Sequence, residues 1–125
     1  MEKLTFTMEN YLEAIYELSR EGNGSARVSD IAKRLGVTKA STNSAMTTLT
    51  KKGLIINEKY KEIVLTEKGK VIAEQTSHKH HVISRFLIEV LNIDPVIADK
   101  DACAIEHVIS DESVSAMLNH YLKND

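Results

Sequence analysis

The feature that most restricts the fold is a three-residue connection, Gly36-Val37-Thr38, between two segments with helical patterns. Apolar residues recur at helical spacing in residues 30–35 and again in residues 39–52. Gly36 is suited to the left-handed conformation that ends a helix, and Thr38 is a favoured N-cap for the next one. So short a connection makes the two helices pack against each other, which predicts a helix-turn-helix.

The segments on either side predict a winged form of this motif. Residues 7–20 carry apolar side chains at helical spacing, with Thr7 as a candidate N-cap, and Ser29 is placed to cap the second helix. Two short β-rich runs, residues 54–57 and 63–65, flank a polar turn and predict a two-stranded wing. We therefore expect residues 1–65 to form a winged-helix domain of three helices and a wing.

The remaining residues, 66–125, predict a second domain that is entirely helical. Thr66 is placed to cap a long helix that extends to about Val90. Pro95, the only proline of the chain, cannot continue that helix, and two further helices are expected at about 96–110 and 112–123. The predicted fold class is therefore mainly α.

Composition excludes several classes of protein. Of the 125 residues, 42% are hydrophobic and 27% are charged, which is typical of a globular chain. No apolar run approaches the roughly 18–20 residues of a membrane span, and the N-terminus lacks the apolar core of a secretion signal. Cys103 is the only cysteine and fits a reducing compartment. We therefore expect a cytoplasmic protein with no membrane partner.

Charge is distributed unevenly along the chain. Residues 27–61 contain eight basic and two acidic side chains, whereas residues 71–125 contain four basic and nine acidic ones. A basic stretch of this kind is a footprint for a polyanion. The second half instead holds Cys103 and all five histidines, which are potential metal ligands. This division predicts nucleic-acid binding by the first domain and sensing by the second.

The third helix has an outer face of short hydroxyl and amide side chains, which can approach base edges and phosphates closely. Its N-terminus also presents N–H groups to a phosphate, and lysines at the tip of the wing would lie along the adjacent backbone. The predicted partner is double-stranded DNA. The candidate DNA-binding residues are Arg27, Thr38, Lys39, Ser41, Asn43, Ser44, Thr47, Lys59 and Lys61.

Candidate metal ligands occur in both predicted domains. Cys103, Glu106 and His107 have i, i+3 and i+4 spacing, which places a thiol, a carboxylate and an imidazole on one face of a helix. The first helix presents Asn10, Glu13 and Glu17 opposite its apolar stripe, and the long helix contributes His78, His80 and His81. A buried structural cysteine and a surface Glu-His pair are the alternative interpretations of these residues.

Four stretches resemble the family of metal-activated repressors that includes the diphtheria toxin repressor and the manganese transport regulator. They are residues 8–18 (MENYLEAIYEL), 28–32 (VSDIA), 65–69 (LTEKG) and 103–110 (CAIEHVIS), in the family's order. The resemblance implies a winged-helix domain, a helical dimerisation domain, a twofold homodimer and a palindromic operator. It also implies repression of metal-uptake genes. As in the manganese branch, no SH3-like third domain is expected.

The resemblance implies a ligand set that combines the family's two branches. Glu106, His107 and His80 match ligands of both branches, whereas Cys103 matches the iron branch and Glu13 the manganese branch. Asn10 stands where one branch has methionine and the other aspartate, while Ser84 and Asp99 replace ligands of the iron branch's ancillary site. Because thiolate and imidazole favour softer metals than Mn(II), Fe(II) ranks first, with Mn(II) or Zn(II) as alternatives.

Three other functions compete with this prediction. A winged-helix regulator could respond to oxidation of Cys103, or to another ligand, rather than to metal. A metal-dependent hydrolase would need a positioned general base, and the sequence contains no HExxH motif. A helical interaction module would leave the basic residues 27–61 without a role. We therefore expect a regulator and not an enzyme, with no small-molecule substrate.

Overall fold

The computed structural model describes residues 4–124, and its regular elements are mainly helical, as predicted. The chain forms two compact units, residues 1–74 and 75–125. The domain boundary predicted between residues 65 and 66 stays a prediction. The elements are α1 (Phe6–Glu21), α2 (Val28–Leu35), α3 (Lys39–Lys51), β1 (Ile55–Ile56), β2 (Val64–Leu65), α4 (Glu67–Glu89), α5 (Pro95–Ile105) and α6 (Asp111–Asn124).

The N-terminal caps correct two of the predicted helix starts. The side chain of Thr5, not that of Thr7, accepts a hydrogen bond from the first turn of α1. The second helix begins after Arg27, which makes no side-chain capping bond, so Ser29 lies inside the helix. Thr38 caps α3 as predicted, because its side chain accepts a hydrogen bond from a backbone N–H of the first turn.

The start of α2 is determined by a tertiary contact that the sequence pattern does not show. Ala26 and Ile63 form an isolated antiparallel bridge, with N–H···O distances of 2.9 and 2.7 Å. Within the wing, Ile55 of β1 pairs with Leu65 of β2, and Ile56 pairs with Val64. The bridge adds Ala26 as a third segment beside these two strands. The chain passes directly from the bridge into α2, and the helix therefore begins earlier than a Ser29 cap would place it.

The core of the first unit lies beneath the helix-turn-helix. Apolar side chains from each helix and from the wing are buried there, and the largest are Leu12, Ile15, Ile31, Met46, Leu49, Leu54 and Ile63. Gly36 adopts φ +67° at the end of α2, as the turn requires. The buried side chains hold α2 and α3 together and leave the polar face of α3 in solvent.

The junction between the wing and α4 is held by several short-range bonds. Thr66 N–H donates to the Leu54 carbonyl (3.1 Å), and the Thr66 hydroxyl donates to the Gly53 carbonyl (2.7 Å). The same hydroxyl oxygen accepts from Gly69 N–H at 3.1 Å, which confirms Thr66 as the cap of α4. A Cβ atom at Gly69 would lie 2.0 Å from the Leu54 oxygen, so glycine permits this close approach.

The second unit contains the later turns of α4 together with α5 and α6. Asp94 caps α5, and Pro95 takes the first helical position, where its missing N–H costs nothing. Buried apolar residues of this unit are Val82, Ile83, Ala98, Ala102 and Val114. Within the described part of the chain, no helix has the length and apolar character needed to cross a membrane.

Candidate metal centre and nucleic-acid interface

A cluster of three potential metal ligands lies within the second unit. His80 projects from α4 and Cys103 from α5. Glu106 is the residue that follows the last residue of α5. One ligand atom from each of the three lies within 4.8 Å of the other two. Nitrogen, sulfur and oxygen donors at this separation could coordinate one divalent transition metal.

The end of α5 preserves the spacing of these ligands although the helix is shorter than predicted. Regular helix stops at Ile105 instead of continuing to about Ser110. Glu106 is the C-cap, but it keeps helical dihedral angles (φ −56°, ψ −27°) and its N–H donates to the Ala102 carbonyl. Because the backbone remains helical here, Cys103 and Glu106 still share a face, as their spacing predicts.

The Glu106 carboxylate provides a structural test of whether a metal fits. This residue is 1% exposed, and neither carboxylate oxygen makes a well-aligned hydrogen bond among the described residues. Two imidazole nitrogens lie near it: His80 Nδ1 is 3.3 Å from Oε2, and His107 Nε2 is 3.4 Å from Oε1. Burying a carboxylate without full hydrogen bonding is costly. A coordinated cation would offset that cost, so the residues fit a metal.

The imidazole of His80 lies between two carboxylates. Its Nε2 atom is 2.8 Å from Asp99 Oδ1, and its Nδ1 atom is 3.3 Å from Glu106 Oε2. The interaction with Glu106 is the largest cause that raises the pKa of His80 from 6.5 to about 9; burial opposes the rise and Asp99 adds to it. Without metal, His80 is therefore an imidazolium at neutral pH.

The other predicted ligands are distributed as follows. Asn10 and Glu13 lie on α1 in the first unit, where Glu13 is buried, and their assignment as ligands stays a prediction. Glu17 is instead 3.4 Å from Arg34 Nη1 and forms an ion pair on the surface of the first unit. His78 and His81 are exposed, which leaves His80 as the histidine of α4 that joins the cluster.

The candidate DNA-binding side chains all lie on the surface of the first unit. Each of the nine is exposed, which is necessary for contact with a partner. Thr38 is also the cap of α3, and the Thr47 hydroxyl donates to the Asn43 carbonyl at 3.2 Å. Thr47 therefore offers a methyl group and an acceptor lone pair to its surroundings, which suits contact with base edges.

An open groove lies between the wing, the start of α2 and α3. Its charged lining includes Glu62, whose carboxylate accepts a hydrogen bond from Ser25 (2.7 Å) and lies 3.6 Å from Arg27 Nε. Tyr60, at the tip of the wing, is 95% exposed and has φ +64°. Sequence reasoning missed Val28, Ser29, Tyr60 and Glu62 as groove residues. The lining residues are Arg27, Val28, Ser29, Lys39, Asn43, Tyr60, Lys61 and Glu62.

A winged helix-turn-helix with an exposed polar third helix, followed by a helical unit with a ligand cluster, defines a class of metal-responsive DNA-binding regulators. Comparison with known families agrees with this class. The Iron dependent repressor N-terminal DNA binding domain matches residues 3–63, and the Iron dependent repressor metal binding and dimerisation domain matches residues 66–124. The chain therefore belongs to the iron-dependent repressor family, which includes the diphtheria toxin repressor and the manganese transport regulator.

Individual relatives support the same assignment. The HTH-type transcriptional regulator MntR of Bacillus velezensis is 37% identical over 123 residues, which cover 97% of this chain and 85% of that protein. An uncharacterized HTH-type transcriptional regulator of Methanocaldococcus jannaschii is 36% identical over 106 residues, 85% of each chain. The solved manganese regulator SloR is 28% identical with a TM-score of 0.79; the match covers 94% of this chain and 54% of that one. These relatives are regulators and not enzymes, as predicted.

Proposed function

We propose that this chain is a metal-activated repressor that binds a palindromic DNA operator as a homodimer and controls metal-uptake genes. The observation that carries the proposal is the His80–Cys103–Glu106 cluster, in which a buried carboxylate lies beside an imidazole and a thiol. The same chain provides a winged helix-turn-helix whose nine candidate DNA-binding residues are exposed. A DNA operator and a single cysteine also fit a cytoplasmic protein.

The proposed ligands in the second unit are His80, Cys103, Glu106 and His107, and those in the first unit are Asn10 and Glu13. A bound metal would replace the proton of His80 as the positive charge beside a buried carboxylate that makes no well-aligned hydrogen bond. A thiolate and imidazoles favour Fe(II), Co(II) or Zn(II) over Mn(II), which prefers oxygen ligands. Fe(II) is therefore the first choice, and Mn(II) or Zn(II) is the alternative.

The proposed DNA contacts divide into two groups with different roles. Arg27, Lys39, Lys59 and Lys61 would neutralise phosphates and fix the position of the unit on the duplex. The hydroxyl and amide side chains of α3, from Ser41 to Thr47, would contact base edges in the major groove. A twofold dimer with such helices recognises half-sites about 34–36 Å apart, which is one turn of DNA.

Activation by metal requires that metal binding and operator binding favour each other. Couplings of this kind are typically about 1–3 kcal/mol, or about 5–150-fold in affinity, and they are reciprocal. Operator DNA is therefore expected to tighten metal binding by the same factor by which metal tightens operator binding. This reciprocity distinguishes a metal switch from a metal that only stabilises the fold.

The test is anaerobic fluorescence anisotropy with labelled DNA from the promoter region upstream of the gene that encodes this chain. Fe(II), Mn(II), Zn(II), Co(II) and a chelator are compared at one salt concentration, because phosphate contacts make affinity steeply dependent on salt. We expect tight binding with the cognate metal and weak binding with chelator. The double substitution Glu106→Ala and His107→Ala should abolish the metal response, whereas Glu112→Ala, at an exposed position of α6, should retain it. Equal binding by the wild type in every condition would contradict a metal switch.

Exposure of Cys103 favours one alternative, a regulator switched by oxidation. A thiol on the surface is accessible to peroxide, and oxidation would change its charge and its ligand properties. In that case Cys103→Ser would remove a peroxide response and leave operator binding indifferent to chelator. If the metal proposal is correct, the same substitution changes metal affinity or metal preference, and chelator still weakens operator binding. A switch by another ligand would respond to neither treatment.

A further inference from the structure

The two ring nitrogens of His80 have different carboxylate neighbours. Nε2 lies 2.8 Å from Asp99 Oδ1, within hydrogen-bonding distance, and Nδ1 lies 3.3 Å from Glu106 Oε2. In an imidazole ring these two nitrogens point in diverging directions. One nitrogen can therefore hold Asp99 while the other faces the ligand cluster. Asp99 is not among the ligands assigned above.

Burial separates the roles of the two carboxylates. The Glu106 side chain is fully buried and makes no well-aligned hydrogen bond, so a cation beside it is favourable. The Asp99 side chain is 70% exposed, and water can solvate its charge without a metal. Glu106 forms a close group with His80 and Cys103, whereas Asp99 contacts the opposite nitrogen of the ring.

We propose that Asp99 is a positioning residue that accepts the Nε2–H of His80 and thereby presents Nδ1 to the metal. The inference rests on the proposed metal site. Histidines that bind metals usually donate their second ring N–H to a carboxylate or a carbonyl, which fixes both the tautomer and the ring orientation. Here the acceptor comes from α5 and the histidine from α4, so the bond fixes the ring within one unit.

Metal affinity measures this role directly. Zn(II) and Co(II) are titrated against a chromophoric chelator in the wild type and in Asp99→Ala, Asp99→Asn and Asp101→Ala. Loss of an outer partner of a ligand typically costs about 10–100-fold in metal affinity, and we expect a loss of this size for Asp99→Ala. Asp99→Asn keeps an oxygen acceptor and should lose less. Asp101 is an exposed carboxylate on the same helix, so Asp101→Ala controls for the loss of negative charge. This variant should bind metal as the wild type does.

The tautomer provides a readout that a general loss of stability would not change. In the zinc-loaded wild type, long-range proton–nitrogen NMR of the His80 ring should show zinc at Nδ1 and a proton on Nε2. Zinc at Nε2 would overturn the proposal and would make Asp99 a candidate ligand instead. Equal metal affinity in Asp99→Ala and Asp101→Ala would also overturn it. Thermal melting with chelator shows whether each variant is folded.

The two proposals fail in distinguishable ways. If the wild type binds none of the metals tightly, both proposals are wrong, because Asp99 would then position no metal ligand. If the wild type binds metal and responds to it on DNA, but Asp99→Ala matches the control, only the positioning role of Asp99 is wrong.

Discussion

Gly69 lies where the first turn of α4 passes over the backbone of Leu54. The Cβ of an alanine at this position would lie 2.0 Å from the Leu54 carbonyl oxygen, 2.9 Å from its carbon and 3.3 Å from its Cα. Real Cβ atoms essentially never come closer than 3.0 Å to such atoms. Gly69→Ala therefore requires the two backbone segments to separate by about 1 Å, and we expect it to destabilise the first unit.

The size of the effect follows from the bonds that fix the Leu54 backbone. The Leu54 carbonyl accepts from Thr66 N–H at 3.1 Å, and separation of the segments would break this bond, at about 0.5–1.5 kcal/mol. Overpacking typically adds about 1–3 kcal/mol. Alanine is favoured over glycine within a helix by about 1 kcal/mol, which offsets part of the cost. The steric effect prevails, and we expect a net loss of about 1–3 kcal/mol.

Urea denaturation followed by circular dichroism measures this loss. Lys68→Ala is the matched control, because Lys68 is exposed on the same turn of α4 and its replacement should change stability by no more than about 0.5 kcal/mol. The melting temperature of Gly69→Ala should fall by at least about 4 °C. If Gly69→Ala is as stable as the control, or more stable because alanine favours helix, α4 does not lie as close to the Leu54 backbone as described.

Three further predictions concern single side chains. The raised pKa of His80, about 9 compared with 6.5 unfolded, stabilises the metal-free protein fully below pH 6.5; this contribution is lost as pH rises toward 9. Melting in chelator should therefore show a decline over that interval that is smaller in His80→Gln; equal declines would contradict the raised pKa. Lys61→Ala should weaken DNA binding and reduce the slope of log affinity against log salt concentration by about 1. Lys100→Ala, on α5, should change neither quantity. An unchanged slope in Lys61→Ala would show that Lys61 does not contact a phosphate. Thr38→Ala should cost about 1 kcal/mol of unfolding free energy because α3 loses its cap, and Thr38→Ser should restore most of it; no loss would show that the cap contributes little.

Local sequence signals predicted the elements whose causes are themselves local. Gly36 ends α2 in the left-handed conformation, Thr38 caps α3, and Thr66 caps α4, each within a few residues of the signal. The starts of α1 and α2 were predicted less well. Thr5 and Thr7 are both good caps, and propensity alone does not decide between them. For α2 the bridge from Ala26 to Ile63 overrides the local preference for Ser29.

The candidate metal site divides in the same way. The spacing of Cys103 and Glu106 follows from helix geometry, and it survives although α5 ends at Ile105, because Glu106 stays in a helical conformation. The pattern of residues alone does not decide which of the three α4 histidines joins the cluster, although the family resemblance selects His80. That choice depends on how α4 packs against α5, and packing selects His80 over the exposed His78 and His81.

By itself, the sequence determined the order of the helices, the winged helix-turn-helix and the types of ligand that the chain can offer, because periodicity, caps and spacing act over a few residues. Only the tertiary structure decided that Glu106 is buried without a well-aligned hydrogen bond and that the Asp99 carboxylate lies beside Nε2 of His80. Burial and contacts between helices depend on residues far apart in the chain. A single sequence contains no local signal for either property.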